Sequence, residues 1–233
     1  MQRHMEEARM PLMQIIIAAL NEEEGIGPTI AELMENLGCP RVLVVDGRST
    51  DRTVEVAKNM GAEVVYQDGL GKGDALAKAV QRMNLSVDYV VITDADYTYP
   101  AEYVTEMIRI LEENPHIGMV CGNRFNNALN LGEKHNILYF GNRIIAFTHN
   151  LLNGVRLVDP LTGLRVVRGS IFRSWKVKSR GFDVEVELNH QVEREGFDIE
   201  EIPIRYRERI GQKKLGVKNG AEILKRMMLE TTY

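Results

Sequence analysis

The stretch RVLVVDGRSTDRTVEVAKNMGAEVVY, residues 41–66, decides the fold class. It opens on an apolar, β-branched run at 41–45, continues through an amphipathic stretch at 51–60, and ends on a second apolar run at 62–66. A strand, a helix and a strand in this order, with both strands apolar on two faces, are typical of a right-handed crossover in a parallel sheet covered by helices. The stretch therefore predicts a layered α/β domain.

Outward from this stretch, the same alternation fills the first half of the chain. Further strand candidates lie at 13–19, 88–93 and 117–121, and helix candidates lie at 22–37, 73–83 and 100–113. Such a sheet binds ligands at the carboxyl ends of its strands. The second half loses this rhythm, with an amphipathic segment at 135–153, a helix candidate at 183–195, a strand candidate at 199–206 and a final helix near 218–230.

The composition excludes several classes of protein. Lys+Arg 29 against Asp+Glu 33 gives the 233 residues a net charge of −4, so the chain as a whole is not a basic nucleic-acid binder. The apolar stretch at 12–20 is far shorter than the roughly 20 residues of a membrane-spanning helix. Residues 1–11 are polar and do not resemble a secretory signal. We therefore expect a cytoplasmic protein without a transmembrane segment.

Two carboxylates follow the apolar run at 88–93 in the sequence TDADYTYP. Asp94 and Asp96 can share one site where the strand breaks, and such hard oxygen ligands suit Mg²⁺ or Mn²⁺ bound together with substrate phosphates. A turn capped by aspartate explains the same two residues without a metal. The pattern by itself leaves both interpretations open.

Two further features lie near the ends of predicted strands. Asp46 ends the run at 41–45, where a carboxylate can accept hydrogen bonds from a nucleobase or a ribose, whereas Ser49 and Thr50 fit helix caps. Lys72 opens a helix after a glycine-rich turn, where free backbone N–H groups favour anions. The spacing of this turn matches neither a dinucleotide-binding loop nor a Walker A loop.

Positive charge is concentrated between Arg205 and Arg226, where eight basic residues stand against two acids. This excess fits a diphosphate, a lipid phosphate or an anionic membrane surface, with Gly211 and Gly216 allowing loop closure. A solvated charged hairpin is the alternative. The segment 136–152, apolar on one face, fits either a helix lying on a membrane or a helix covering the sheet.

Taken in order, the motifs resemble inverting family-2 glycosyltransferases with a GT-A fold, closest to the dolichyl-phosphate or polyprenyl-phosphate sugar synthases. These motifs are IIIAALNEEEGI, VVDGRSTDRT, GKGDALAKAV, DADYTYP, CGNRF, GNRIIAFTHNLLNG, DPLTGLRVVRG, GFDVEVELNHQ and IPIRYRERIGQKKLG. The resemblance implies a Rossmann-like α/β domain with a mixed, mainly parallel sheet at 13–217, after an N-terminal tail or tag at 1–12. Within it we expect an acceptor-side segment at 123–165 and a basic closing loop at 205–217, followed by a C-terminal helix at 218–233.

The resemblance also implies roles for individual residues. Binding of the nucleotide sugar is implied for Ala19, Asn21, Glu22, Asp46, Lys72, Asp94, Ala95, Asp96, Arg209 and Lys214. Binding of the acceptor is implied for Arg124, His135 and Asp159. Asp94, Asp96 and Asp159 are the implied catalytic residues, and Asp94 and Asp96 are the implied ligands of Mg²⁺ or Mn²⁺.

The implied reaction is an inverting transfer of a hexose from a UDP- or GDP-linked donor to dolichyl or polyprenyl phosphate. It places the protein at the cytoplasmic face of a membrane as a peripheral protein, and it is compatible with a homo-oligomer. One alternative is a soluble enzyme of the same fold with a hydroxyl acceptor on a small sugar acid or glycan, for which Asp159, Asp183 or Glu185 would be the base. A nucleotidyltransferase is disfavoured by ALNEEEG after the first strand, and a catalytically silent scaffold is disfavoured by the presence of DAD, Arg124 and Arg209.

Overall fold

The alternating segments form the strands and helices of a computed structural model, which describes residues 11–38, 40–125 and 157–211. The strands are β1 (Met13–Ala19), β2 (Arg41–Asp46), β3 (Glu63–Tyr66), β4 (Tyr89–Asp94), β5 (Ile117–Asn123), β6 (Arg165–Arg168) and β7 (Asp198–Pro203). The helices are α1 (Ile26–Leu37), α2 (Thr53–Asn59), α3 (Lys72–Arg82), α4 (Tyr103–Glu113), α5 (Gly169–Ser174) and α6 (Val184–Arg194).

The strands form one seven-stranded sheet in the order β3-β2-β1-β4-β6-β5-β7. β1 lies parallel to β2 and β4, β2 lies parallel to β3, and β5 lies parallel to β7. Only β6 runs against its two neighbours, β4 and β5. The predicted α/β fold with a mixed, mainly parallel sheet is therefore confirmed.

Strand β1 shows why this sheet is covered on both faces. Successive side chains of a strand point to opposite faces. Ile15 and Ile17 pack into a core with α1 and α4, whereas Ile16 packs into a second core with α3, α5 and α6. The three isoleucines are fully buried, as the continuous apolar run predicted. Burial on both faces leaves the carboxyl edge of the sheet as the place for a site.

The second half differs from the sequence expectation in one strand and one helix. The sequence analysis did not predict β6 and α5. At the end of β6, Arg168 donates to the backbone carbonyls of Ile117 and Leu111, more than 50 residues away, and no local pattern shows these contacts. The helix candidate at 183–195 is confirmed as α6, and the strand candidate at 199–206 ends at Pro203. The amphipathic segment at 135–153 and the final helix near 218–230 lie outside the described residues. Within the described ranges, no helix has the length and hydropathy to cross a bilayer.

Candidate active site

Strand register brings the predicted site residues together at the carboxyl edge. Ala19 of β1 pairs with Asp46 of β2, and Ala18 pairs with Asp94 of β4, so the three strands end side by side. The chain then turns sharply at Asn21 and at Tyr97, whose φ angles of 49° and 64° are uncommon for residues other than glycine. Such strain is concentrated at functional sites of proteins. These two turns carry the Asn21–Glu22 and Asp94–Asp96 motifs.

Asp94 is held by a buried lysine. Its Oδ1 accepts a hydrogen bond from Lys72 Nζ at 2.6 Å, and the same ammonium lies 2.7 Å from Oε1 of Glu185 on α6. Burial alone would raise the pKa of Asp94, but the charge and hydrogen bond of Lys72, together with the charges of Arg124 and Arg209, lower that pKa. Burial alone would lower the pKa of Lys72, and the two carboxylates raise it instead. Lys72 therefore stays a cation between two anions.

Asp96 is held by the chain around it and by an arginine from the segment after β7. Its Oδ1 accepts hydrogen bonds from the Thr98 hydroxyl at 2.6 Å and the Thr98 backbone N–H at 3.2 Å. Its Oδ2 accepts one from Arg209 Nη1 at 2.9 Å, while Arg209 Nη2 donates to Glu22. Burial and the neighbouring charge of Asp94 raise the pKa of Asp96. A second cation near Asp96 would therefore be favourable.

Asp94 has one oxygen placed for a divalent cation, whereas both oxygens of Asp96 accept hydrogen bonds from Thr98 and Arg209, so a metal held by the two aspartates together stays a prediction. Among the residues that the structure describes, no donor bonds to Oδ2 of Asp94, and the side chain is 31% exposed. A Cβ atom at Gly163 would collide with that oxygen, so the glycine keeps the space beside it open. In the described ranges, no group of three or more His, Cys, Asp or Glu side chains is placed to hold a metal ion by itself. One or two carboxylates completed by substrate phosphates is the usual protein environment of Mg²⁺.

The residues predicted to bind the nucleoside form a small hydrogen-bonded network. Asp46 is fully buried, and its two oxygens accept hydrogen bonds from the backbone and hydroxyl of Ser49 at 2.8 and 2.5 Å. The Ser49 hydroxyl accepts from the backbone of Asn21 at 2.8 Å, and the amide oxygen of Asn21 accepts from the backbone of Thr50. Asp46 thus fixes the loops around Asn21, and its contact with a nucleoside stays a prediction.

Arg124 and Asp159 form a tight pair. Nε and Nη2 of Arg124 each donate to one Asp159 oxygen at 2.7 Å, and the Arg124 backbone N–H adds a third bond at 3.1 Å. Asp159 is fully buried, and the guanidinium carbon of Arg124 lies 5.4 Å from the ring centroids of Phe125 and Tyr206. Burial would lower the pKa of Arg124, but Asp159 raises it. Because both of its oxygens are engaged, Asp159 is placed to anchor Arg124, and a role in taking a proton stays a prediction.

The remaining predicted residues are of two kinds. Ala19 and Ala95 are buried, so any contribution to a ligand comes from their backbone. His135 and Lys214 lie outside the described residues. Of the three arginines described in the predicted closing loop, Arg207 is paired with Glu32 of α1 at 2.5 and 2.9 Å and does not contact the aspartates.

The sequence did not show that Glu201 supports the site. Its carboxylate accepts hydrogen bonds from the backbone N–H groups of Val158 and Asp159 at 2.6 and 2.7 Å. The partners are more than 40 residues apart, so no local pattern could have shown the contact. Glu185 was considered only as a base for a hydroxyl acceptor, and the structure shows it as a partner of Lys72.

The fold and the paired acids at the carboxyl edge define the class of protein, a glycosyltransferase with a GT-A fold. The sequence profile of Glycosyl transferase family 2 matches residues 14–175, and the chain belongs to this family. The predicted family and enzyme class are therefore confirmed.

Named relatives include enzymes of lipid-linked sugar chemistry. The dolichyl-phosphate hexose transferase of Haloferax volcanii is 33% identical over 87% of this chain and 86% of its own length. Glycosyltransferase AglJ of the same organism is 34% identical over 82% of this chain, which spans only 62% of AglJ. The undecaprenyl-phosphate mannosyltransferase of Micrococcus luteus is 27% identical, with 86% of each chain covered.

A solved structure shares the fold. Glucosyl-3-phosphoglycerate synthase from Mycobacterium tuberculosis, crystallised with Mn²⁺, UDP-glucose and glycerol 3-phosphate, superposes with a TM-score of 0.75. The match covers 95% of this chain and 80% of that one, at 18% sequence identity. This likeness supports the fold.

Proposed function

We propose that this family-2 glycosyltransferase transfers a hexose from a UDP- or GDP-linked donor to dolichyl or polyprenyl phosphate, with inversion and with Mg²⁺ or Mn²⁺ bound at Asp94 and Asp96. The observation that carries the proposal is the presence of two arginines near these acids. Arg209 bonds directly to Asp96, and both Arg209 and Arg124 lie close enough to Asp94 to lower its pKa. Two separate cations suit a reaction in which two phosphate-bearing substrates must meet.

The donor side of the proposal rests on Asp94, Asp96 and Arg209. A divalent cation, when bound, offsets the negative charge that develops on the departing nucleotide diphosphate. Arg209 bridges Glu22 and Asp96, so its guanidinium lies beside an acid that would hold the cation and could contact a diphosphate bound to that cation. The backbone of Asn21 is held by Ser49, which supports the proposed role of Asn21 in binding the nucleoside of the same donor.

The acceptor side rests on Arg124. A guanidinium carries five N–H donors; the Asp159 pair uses Nε and Nη2 of Arg124 and fixes the plane of the group, so the acceptor phosphate would be bound through other N–H groups of the same guanidinium. A phosphate monoester has a second pKa of roughly 6 and is mostly dianionic at neutral pH, so the attacking oxygen needs no strong general base. This agrees with an Asp159 whose oxygens are both committed to Arg124.

The named relatives favour a lipid carrier. Two of them carry dolichyl phosphate or undecaprenyl phosphate in their names and match most of this chain. We accordingly propose a peripheral protein at the cytoplasmic face of the membrane that takes its acceptor from the lipid, and the roles of the acceptor-side segment at 123–165 and the basic closing loop at 205–217 stay predictions. A homo-oligomer is compatible with this arrangement.

A transfer assay tests the proposal. Purified protein is incubated with labelled UDP- and GDP-hexoses, with Mn²⁺ or Mg²⁺, and with a polyprenyl phosphate, 3-phosphoglycerate or a neutral glycan as acceptor. We expect label to partition into organic solvent only with polyprenyl phosphate. Label that stays in water with either of the other acceptors would support the soluble alternative, and no transfer to any acceptor would contradict the proposal.

A further inference from the structure

Arg165, at the start of β6, is a buried arginine with an unusual set of partners. It is 1% exposed, and in the described part of the chain its hydrogen-bond partners are three neutral oxygens and the sulfur of Met119. Its Nε donates to the carbonyl oxygen of Thr162 at 2.9 Å, and its Nη2 donates to that of Pro160 at 2.6 Å. Its Nη1 donates to the amide oxygen of Asn189 on α6 at 2.5 Å. A buried charge satisfied by neutral oxygens is costly, which points to a purpose other than stability.

The two carbonyls that Arg165 binds belong to the loop that carries Asp159. Asn189 also donates to the Pro160 carbonyl, at 3.2 Å. From the other end, Glu201 binds the backbone N–H groups of Val158 and Asp159. The loop at 158–162 is therefore held at its N–H groups by an anion and at its carbonyls by a cation. Asp159 stands between these two anchors and itself holds Arg124.

We propose that Arg165 is a positioning residue for the acceptor: it fixes the loop at 158–162, so that Asp159 can orient the Arg124 guanidinium toward the acceptor phosphate. The inference rests on the proposed function for the identity of the acceptor. Arg165 bonds to none of the predicted donor-binding residues, and Gly163, which borders Asp94, lies one residue beyond the loop at 158–162. Loss of Arg165 should therefore weaken use of the acceptor and spare use of the donor.

Arg168 provides a matched control on the same strand. Its guanidinium also donates to backbone carbonyls, those of Ile117 at 2.8 Å, Leu111 at 2.7 Å and Asn114 at 3.1 Å. Arg168 pairs with Tyr89 at the start of β4, whereas Arg165 pairs with Ile92 near its end. The two arginines thus bind backbone carbonyls in the same way at the two ends of β6, and only Arg165 binds the loop that carries Asp159.

The experiment compares Arg165→Met, the milder Arg165→Lys and Arg168→Met. Hydrogen exchange followed by mass spectrometry reports the backbone directly. We expect about tenfold faster exchange or more at 158–162 in Arg165→Met, with a smaller effect in Arg165→Lys, and faster exchange near 111–117 in Arg168→Met. In steady-state kinetics, we expect Arg165→Met to raise the acceptor KM about tenfold or more and to keep the donor KM within about twofold of the wild-type value. Arg168→Met should change neither KM.

Two results would overturn the inference. One is wild-type exchange at 158–162 in both Arg165 variants, because the loop would then be fixed without the arginine. The other is an equal rise of acceptor KM in Arg168→Met, because the effect would then be general destabilisation. If Arg165→Met does not fold, Arg165→Lys decides by the same criteria. A wild-type protein that fails to use polyprenyl phosphate contradicts the proposed function, and hydrogen exchange still decides the role of Arg165.

Discussion

Replacing Asp159 with asparagine tests whether this residue anchors Arg124 or acts as a general base. Asp159→Asn keeps the size of the side chain but removes the charge and turns one hydrogen-bond acceptor into a donor facing Arg124. The wild-type pair has two side-chain hydrogen bonds of 2.7 Å in a fully buried setting. Removing one partner of a buried ion pair costs about 3–5 kcal/mol. We therefore expect the free energy of unfolding to fall by about 3 kcal/mol.

A loss of about 3 kcal/mol would also have a kinetic consequence. If the misplaced Arg124 loses about 3 kcal/mol of its interaction with the acceptor, kcat/KM for the acceptor falls about 100-fold, since 1.4 kcal/mol corresponds to a factor of ten. We expect most of this loss in the acceptor KM. Because the two residues act as a unit, the double variant with Arg124→Met should be little worse than either single variant.

Urea unfolding and initial rates at varied acceptor concentration measure both quantities. Glu113→Gln is the control, because it removes the carboxylate from another two-bond arginine pair, which lies on α4 and outside the predicted site. The reasoning is refuted if Asp159→Asn keeps wild-type stability and acceptor KM while kcat alone collapses. That result would make Asp159 the group that takes a proton.

Three further predictions concern other parts of the chain. Arg209→Met should raise the donor KM about tenfold or more and leave the acceptor KM near its wild-type value, because one charge-assisted contact to the diphosphate is worth roughly 1.5–3 kcal/mol; initial rates at varied donor check this. Burial would raise the pKa of Glu32, but its bonds to Arg207 lower that pKa below 4.5. The pair therefore stabilises the fold above about pH 4.5, and this stability is lost as the pH falls through the lowered pKa. Thermal melts of the wild type and of Glu32→Gln should then converge in acid. Burial raises the pKa of Cys121 to about 12, so iodoacetamide at pH 8 should label its peptide only after unfolding, and labelling of the native protein would contradict the buried position.

The sequence predicts the first half of the fold well because each element there has a strong local pattern. The run at 13–19 is apolar on both faces, and the structure gives β1 the same bounds. The pattern at 165–168 is weaker, because only two apolar residues lie between two arginines. Arg168 finds its backbone acceptors more than 50 residues away, which no local window contains.

The distinction between local patterns and contacts across the chain also applies to the candidate site. The carboxyl ends of neighbouring parallel strands must meet, so the proximity of Asp46 and Asp94 to the end of β1 follows from fold class alone. Contacts between segments that are distant in the sequence do not follow from the fold class. That Asp159 is consumed by Arg124, and that Glu201 and Arg165 hold its loop, depends on how β5, β6 and β7 pack, which the sequence left open.

The most direct test of the central claim is a titration of Mn²⁺ followed by electron paramagnetic resonance, in which the signal of free Mn²⁺ disappears as the ion binds. In the presence of UDP or GDP, the wild-type protein should take up about one equivalent of Mn²⁺ per chain, completed by nucleotide phosphates, while Asp94→Asn and Asp96→Asn should each weaken uptake strongly. Equal uptake by the wild type and both variants would contradict the assignment of the two aspartates as the metal site.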